Sequence, residues 1–182
     1  HSGDIHRVLD LECGPGGWVF DVARTHPDLE IIGVDNSLRM IQHANAERWA
    51  NPEESKKFRN VSFLPMDITQ SLDFAEGSFD LVNGSLLAGF LGTDDWPRFI
   101  QECKRVLRPG GFLRLTESDS WSLAHSPASA KISSYLQQAL WKTDQSFSVF
   151  GGITPMLKTF LRSGDFERVH SRAYHLDASV GE

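Results

Sequence analysis

The stretch from His6 to Trp18, His-Arg-Val-Leu-Asp-Leu-Glu-Cys-Gly-Pro-Gly-Gly-Trp, constrains the fold more than any other part of this 182-residue chain. Arg7 to Leu11 carry apolar Val8, Leu9 and Leu11, the pattern of a short strand. Gly14, Pro15, Gly16 and Gly17 stop that strand in a tight turn. Val19, Phe20, Val22 and Ala23 then fall at helical spacing. A strand, a glycine turn and a helix N-terminus bring backbone amides to one mouth, where they can meet a polar ligand. Asp10, on the strand, adds a carboxylate there.

The rest of the chain repeats the alternation of apolar strands with helices, which predicts a mostly parallel, doubly wound sheet covered on both faces. Glu30–Asp35 reads as the second strand and Ser37–Trp49 as a helix. Val61–Leu64 reads as the third strand and Phe79–Val82 as the fourth, leaving Asn83-Gly84-Ser85-Leu86-Leu87 as a loop. Asp94 opens a helix with Phe99, Ile100, Cys103, Val106 and Leu107 along one stripe. Arg108-Pro109-Gly110-Gly111 reads as the helix stop and a turn, and Phe112–Thr116 as the fifth strand. A helical segment carries Tyr135, Leu136, Ala139 and Leu140. Thr154–Ser163 reads as a helix with Met156, Leu157, Phe160 and Leu161 inward, and Phe166–Leu176 as a sixth strand. All of this fits a single domain spanning residues 1–182.

Two features narrow the ligand. A dinucleotide fingerprint requires a third glycine three places after the second, and Val19 stands there instead. Asp35 ends the second strand about 20 residues beyond the glycine turn, the usual place for a carboxylate that accepts from ribose hydroxyls. The alternative is a helix cap, since Asn36, Ser37 and a helix follow Asp35.

Asp10 followed by Glu12-Cys-Gly14-Pro-Gly16, one position short of an acidic residue followed by Gly-x-Gly-x-Gly, together with the run Leu107-Arg-Pro-Gly-Gly-Phe-Leu113, resembles the class I S-adenosylmethionine-dependent methyltransferases. The resemblance runs from Val8 almost to the end of the chain. It implies a Rossmann-like fold with S-adenosylmethionine as cofactor and S-adenosylhomocysteine as product. The implied cofactor contacts are Asp10, Cys13, Gly14 and Gly16 at the methionine end, with Asp35 and Asn36 at the ribose. Met40, Met66, Asp67 and Ile68 would flank the adenine, Asp67 accepting from its amino group, and Asn83 and Gly84 would line the switch point. Glu12, also among the implied contacts, stands where the family usually has its first glycine, so its side chain must point away from the bound methionine part or crowd it. Its carboxylate would repel the ligand's carboxylate but could attract the ammonium. Asp177–Glu182 are too few for the family's seventh, antiparallel strand. The family's helices ahead of the first strand would lie outside this sequence, which opens on His1.

The acceptor is expected to be a small molecule. A net charge of −6 with a pI near 5.6 disfavours a nucleic-acid backbone as partner. Asn83 is followed by Gly84, not by the Pro-Pro-aromatic sequence of base methyltransferases. Residues 118–150 fall where such enzymes carry a lid over the acceptor. Trp121, Tyr135, Trp141, Phe147 and Phe150 either belong to that lid or cover the core, and His125 is its one candidate base. No catalytic residue and no metal site is assigned. Cys13 and Cys103 form no disulfide framework, and no apolar run reaches the length of a membrane span, so a cytoplasmic setting is expected. Two other classes compete: a binding or scaffolding protein that keeps the fold without turnover, and a nicotinamide-dependent oxidoreductase.

Overall fold

The structure, a computed structural model, describes residues 5–50, 56–118, 126–142 and 153–174. Its centre is a five-stranded sheet of β1 (Arg7–Leu11), β2 (Glu30–Asp35), β3 (Val61–Pro65), β4 (Phe79–Ser85) and β5 (Leu107–Thr116), in the order β3-β2-β1-β4-β5. Every pairing is parallel. The helices are α1 (Gly17–Thr25), α2 (Leu38–Trp49), α3 (Asp95–Val106), α4 (Pro127–Lys142) and α5 (Thr154–Ser163).

Strands buried on both faces need apolar residues on both, and β1 shows this. Val8 packs into a cluster with Val19, Phe20 and Ala23 of α1 and Ile41 and Ala44 of α2. Leu9 and Leu11 face the opposite cluster, with Trp96, Phe99, Ile100 and Cys103 of α3. Trp96 is fully buried and stacks on Phe160 of α5, ring centroids 6.1 Å apart. The sheet grows from β1 through β2 to β3 on one side and through β4 to β5 on the other. The crevice at the carboxyl ends of β1 and β4 is therefore the topological switch point, where open α/β sheets bind ligands.

Four local expectations are corrected. Asn83, Gly84 and Ser85 are strand, not loop: Asn83 pairs with Asp10 on one side and Arg114 on the other. Its amide is satisfied from both neighbouring strands, so a polar residue is tolerated inside the sheet. Arg108–Gly111 is not a separate turn but lies within β5, which starts at Leu107. The β4–β5 register slips between Phe79 and Leu81, with Gly110 at φ 78°, so the bend is taken up as an irregularity of the ladder. Met156 is exposed, while Leu157, Phe160 and Leu161 do pack on the core. No strand forms over residues 166–174: Arg168 is left-handed at φ 52°, which interrupts an extended run. Residues 175 and 176 of that expected strand, and His125, Trp121, Phe147 and Phe150, lie outside the described residues.

Candidate functional site

β1 delivers the chain to the crevice, and three left-handed residues turn it into α1. Glu12, Gly14 and Gly16 have φ of 53°, 55° and 87°. The two glycines serve different ends. A Cβ at Gly16 would sit 2.7 Å from the Phe63 ring, so that glycine lets the turn pack on β3. A Cβ at Gly14 would meet nothing within 4 Å, so that glycine borders open space where a ligand's polar end can approach.

Asp35 ties the turn to the next strand. One of its carboxylate oxygens accepts from the Gly14 N–H at 2.8 Å, and the other from the Ser37 N–H at 2.8 Å. The cap expectation is corrected: Ser37 is the N-cap of α2, and Asp35 bonds the Ser37 N–H in a turn ahead of the helix. Each Asp35 oxygen keeps a second lone pair for a hydroxyl donor. Asn36, beside it, is exposed.

Asp10 and Asn83 are the buried polar pair at the switch point, 4% and 0% exposed. Asn83 Nδ2 donates to Asp10 Oδ1 at 2.7 Å, and Arg114 Nη1 donates to Asn83 Oδ1 at 2.7 Å. These three side chains form a row across β1, β4 and β5. Burial pushes the Asp10 carboxyl up to about 7, against the Asn83 hydrogen bond and the Arg114 charge.

Glu12 is the anomaly. A non-glycine residue in the left-handed region carries strain, and its Oε1 is buried without a hydrogen-bond partner among the described residues. Burial, then the charges of Asp35 and Asp67, raises its carboxyl to about 7. Cys13, whose N–H donates to the Val34 carbonyl at 2.9 Å, holds a buried thiol. Burial first, and then Asp10, Asp35 and Glu12, drive its pKa upward. Burial and the acidic neighbours thus favour the thiol over the thiolate.

The loop after β3 presents Asp67, exposed, with Oδ1 accepting from the Thr69 N–H at 2.8 Å and the Thr69 hydroxyl at 2.7 Å. Oδ2 makes no such bond to another described residue. Ile68 is buried at 3% and packs in the core, with Met66 half-buried beside that cluster. Met40, by contrast, is 38% exposed in the first turn of α2, so it is not core. Gly84 is fixed by packing, since a Cβ there would lie 2.8 Å from Leu87.

Three further groups are ones the sequence reading missed. Glu117, just beyond β5, accepts from the Leu87 and Ala88 N–H groups and so pins the loop after β4. Leu86 and Phe90 in that loop are each 57% exposed. Arg114 completes the polar row. Arg114 could have been found by aligning β5 against β4 to match Asn83. The contacts of Glu117 and Phe90 depend on a loop path that no local pattern encodes.

This donor set suits the expected cofactor. Carboxylates at the ends of β1 and β2 match an ammonium and a ribose edge, and the space beside Gly14 leaves room for the methionine part. Among the described residues no group of His, Cys, Asp and Glu could hold a metal ion.

Comparison with known proteins agrees with this geometry. Residues 8–111 match the model of a methyltransferase domain family. A demethylmenaquinone methyltransferase from Lactococcus lactis is 39% identical over 57% of this chain and 38% of its own. A secondary metabolism regulator, laeA, from Coprinopsis cinerea is 34% identical over 62% of this chain and 25% of its own. The matched part thus spans well under half of either relative. In fold, a phosphoethanolamine N-methyltransferase from Haemonchus contortus superposes with a TM-score of 0.64 at 20% identity, over 90% of this chain and 33% of that one. The chain belongs to the class I S-adenosylmethionine-dependent methyltransferase family, and S-adenosylmethionine is its cofactor.

Proposed function

We propose that the chain transfers the cofactor's methyl group to a small-molecule acceptor by in-line displacement. The observation that carries this reading is the convergence of Asp10, Asp35 and the Gly14 amide at the carboxyl ends of β1 and β2, beside the Asn83 switch point. Asp10 would face the methionine ammonium, Asp35 the ribose hydroxyls and Asp67 the adenine amino group. Cys13, Gly14 and Gly16 form the turn that passes the methionine part, with Asn36, Met40, Met66 and Ile68 around the nucleoside. When bound, S-adenosylmethionine supplies a methyl group already activated by its sulfonium. The protein's task is then chiefly alignment and exclusion of water, with a base required only for an acceptor that arrives protonated.

A small acceptor is supported by the loop after β4. Leu86 and Phe90 offer exposed apolar surface at the switch point, where an organic substrate could be held, and the net charge of −6 favours no polyanion. The whole chain would act as one domain, with residues 118–150 on the acceptor side.

The test is calorimetric titration of the chain with S-adenosylhomocysteine, followed by acceptor screening with a labelled methyl donor. Micromolar binding and label transfer to a small molecule are expected. The Glu12 carboxyl at a glycine position motivates a second reading, a binding or scaffolding domain without turnover. Tight product binding with no transfer to any acceptor would favour it.

A further inference from the structure

We propose that Arg114 is a positioning residue for the cofactor's methionine end, acting through Asn83 on Asp10. The proposal rests on the cofactor reading above and extends it to a residue outside the glycine turn and the strand ends that hold the cofactor. Asp10, Asn83 and Arg114 occupy one row, because Asp10 pairs with Asn83 in the β1–β4 ladder and Asn83 with Arg114 in the β4–β5 ladder. Each link is 2.7 Å long.

An amide can present either its oxygen or its nitrogen to a neighbour. Arg114, which has only donors, can be met only by the Asn83 oxygen. That choice leaves the Asn83 nitrogen for Asp10, which must then act as acceptor. The guanidinium therefore sets the direction of the whole row, and its charge favours the ionised form of Asp10 against the opposing effect of burial. Asp10 Oδ2 makes no hydrogen bond to another described residue, and in the cofactor reading it is the oxygen that meets the ammonium.

Without that charge, burial would shift Asp10 further toward the neutral acid, whose protonated oxygen would meet the ammonium with a proton where it needs a lone pair. The other charged or titratable groups around Asp10 do not help. Cys13 in the turn is neutral, and the groups that share its surroundings with Asp10, namely Glu12 and Asp35, are carboxyls that bring no positive charge. Arg114 is the cation that acts on this carboxyl. It is exposed and lies on β5, the last strand of the five-stranded sheet, so its replacement opens no core cavity.

The experiment measures two things on the wild-type chain, Arg114→Ala, Arg114→Gln and Arg114→Lys. One is the titration midpoint of the Asp10 carboxyl by carbon NMR without ligand. The other is S-adenosylhomocysteine affinity across pH. Arg114→Ala should raise the Asp10 midpoint and weaken binding near neutral pH about three- to tenfold, with the loss shrinking at alkaline pH. Arg114→Lys should restore most of the midpoint. Arg114→Gln, a neutral donor, should restore less. A folded Arg114→Ala with an unchanged midpoint overturns the row's role even if cofactor binding is normal. An affinity loss equal at every pH also overturns it, because that is a general structural effect. A midpoint that moves in Arg114→Ala, with a folded wild-type chain that binds no S-adenosylhomocysteine, overturns the cofactor reading, and with it the assignment of Arg114 to that ligand.

Discussion

Glu12 and its two neighbouring glycines show how differently single residues in one turn are used. At Glu12 a left-handed backbone and an unpartnered buried carboxyl oxygen coincide. Glycine there relieves about 1 kcal/mol of backbone strain but adds a similar entropy cost to folding. Glu12→Gly should therefore change stability little and tighten S-adenosylhomocysteine binding by roughly 1–2 kcal/mol, because a crowding carboxyl leaves the mouth. Calorimetry beside thermal melting separates the two effects, and equal or weaker affinity would show that Glu12 does not crowd the ligand. The glycines make the complementary case. Gly16→Ala combines φ 87° with a 2.7 Å contact to Phe63, and should cost about 2–4 kcal/mol of folding stability. Gly14→Ala meets open space, so it should cost the fold only about 1 kcal/mol while weakening ligand binding more. Reversal of that order, read from melts and titrations, would exchange the roles assigned to the two glycines.

At the scale of elements, the strands and helices around the site were legible because each carries its own period. β1 and β2 form over the predicted residues, and Asp35 falls at the end of its strand. The misreadings share one cause. Asn83-Gly84 and Arg108–Gly111 contain the residues that ordinarily end elements, and only their partners on adjacent strands reveal them as sheet. Residues 166–174 failed in the opposite direction, since apolar content there suggested a strand but nothing on the sheet pairs with it. Asp80 shows an element held by contacts distant in sequence. One of its oxygens accepts from the His6 and Arg7 N–H groups at 2.9 and 2.7 Å, and the other from Arg108 Nε. It thus ties the start of β1 to the irregular part of β5. Asp80→Asn loses the charge that pairs with the half-buried Arg108 guanidinium and should lower stability by about 1–2 kcal/mol. Urea unfolding would show this as a lower midpoint with unchanged slope. A double-mutant cycle with Arg108→Met should show strong coupling, and additive effects would mean that the backbone contacts dominate.

Across the whole molecule, two sets of carboxyls pull the pH dependence of stability in opposite directions. At Asp80, burial acts upward but is outweighed by the Arg108 hydrogen bond and the His6 and Arg7 N–H groups, which hold it below its usual 3.8. At Glu102 the Arg105 hydrogen bond leads, holding that group below its usual 4.5. These two ionise more readily folded than unfolded, so their stabilisation is present above the ordinary carboxylate range and is lost as pH falls through the depressed folded values. Asp10 and Glu12 behave in reverse, each raised to about 7 by burial. Between about 4 and 7 the unfolded chain ionises them while the folded chain keeps their protons, so stability declines as pH rises through that window. The melting temperature of the ligand-free chain should therefore rise from roughly pH 8 to roughly pH 5 and fall again at stronger acid. S-adenosylhomocysteine should flatten the alkaline limb, because its ammonium favours the ionised Asp10 and binding to the folded state adds stability. A melting profile whose alkaline limb is flat without ligand would show that these two carboxyls are already ionised at neutral pH. The charge needed to hold the methionine end would then be present before the cofactor arrives.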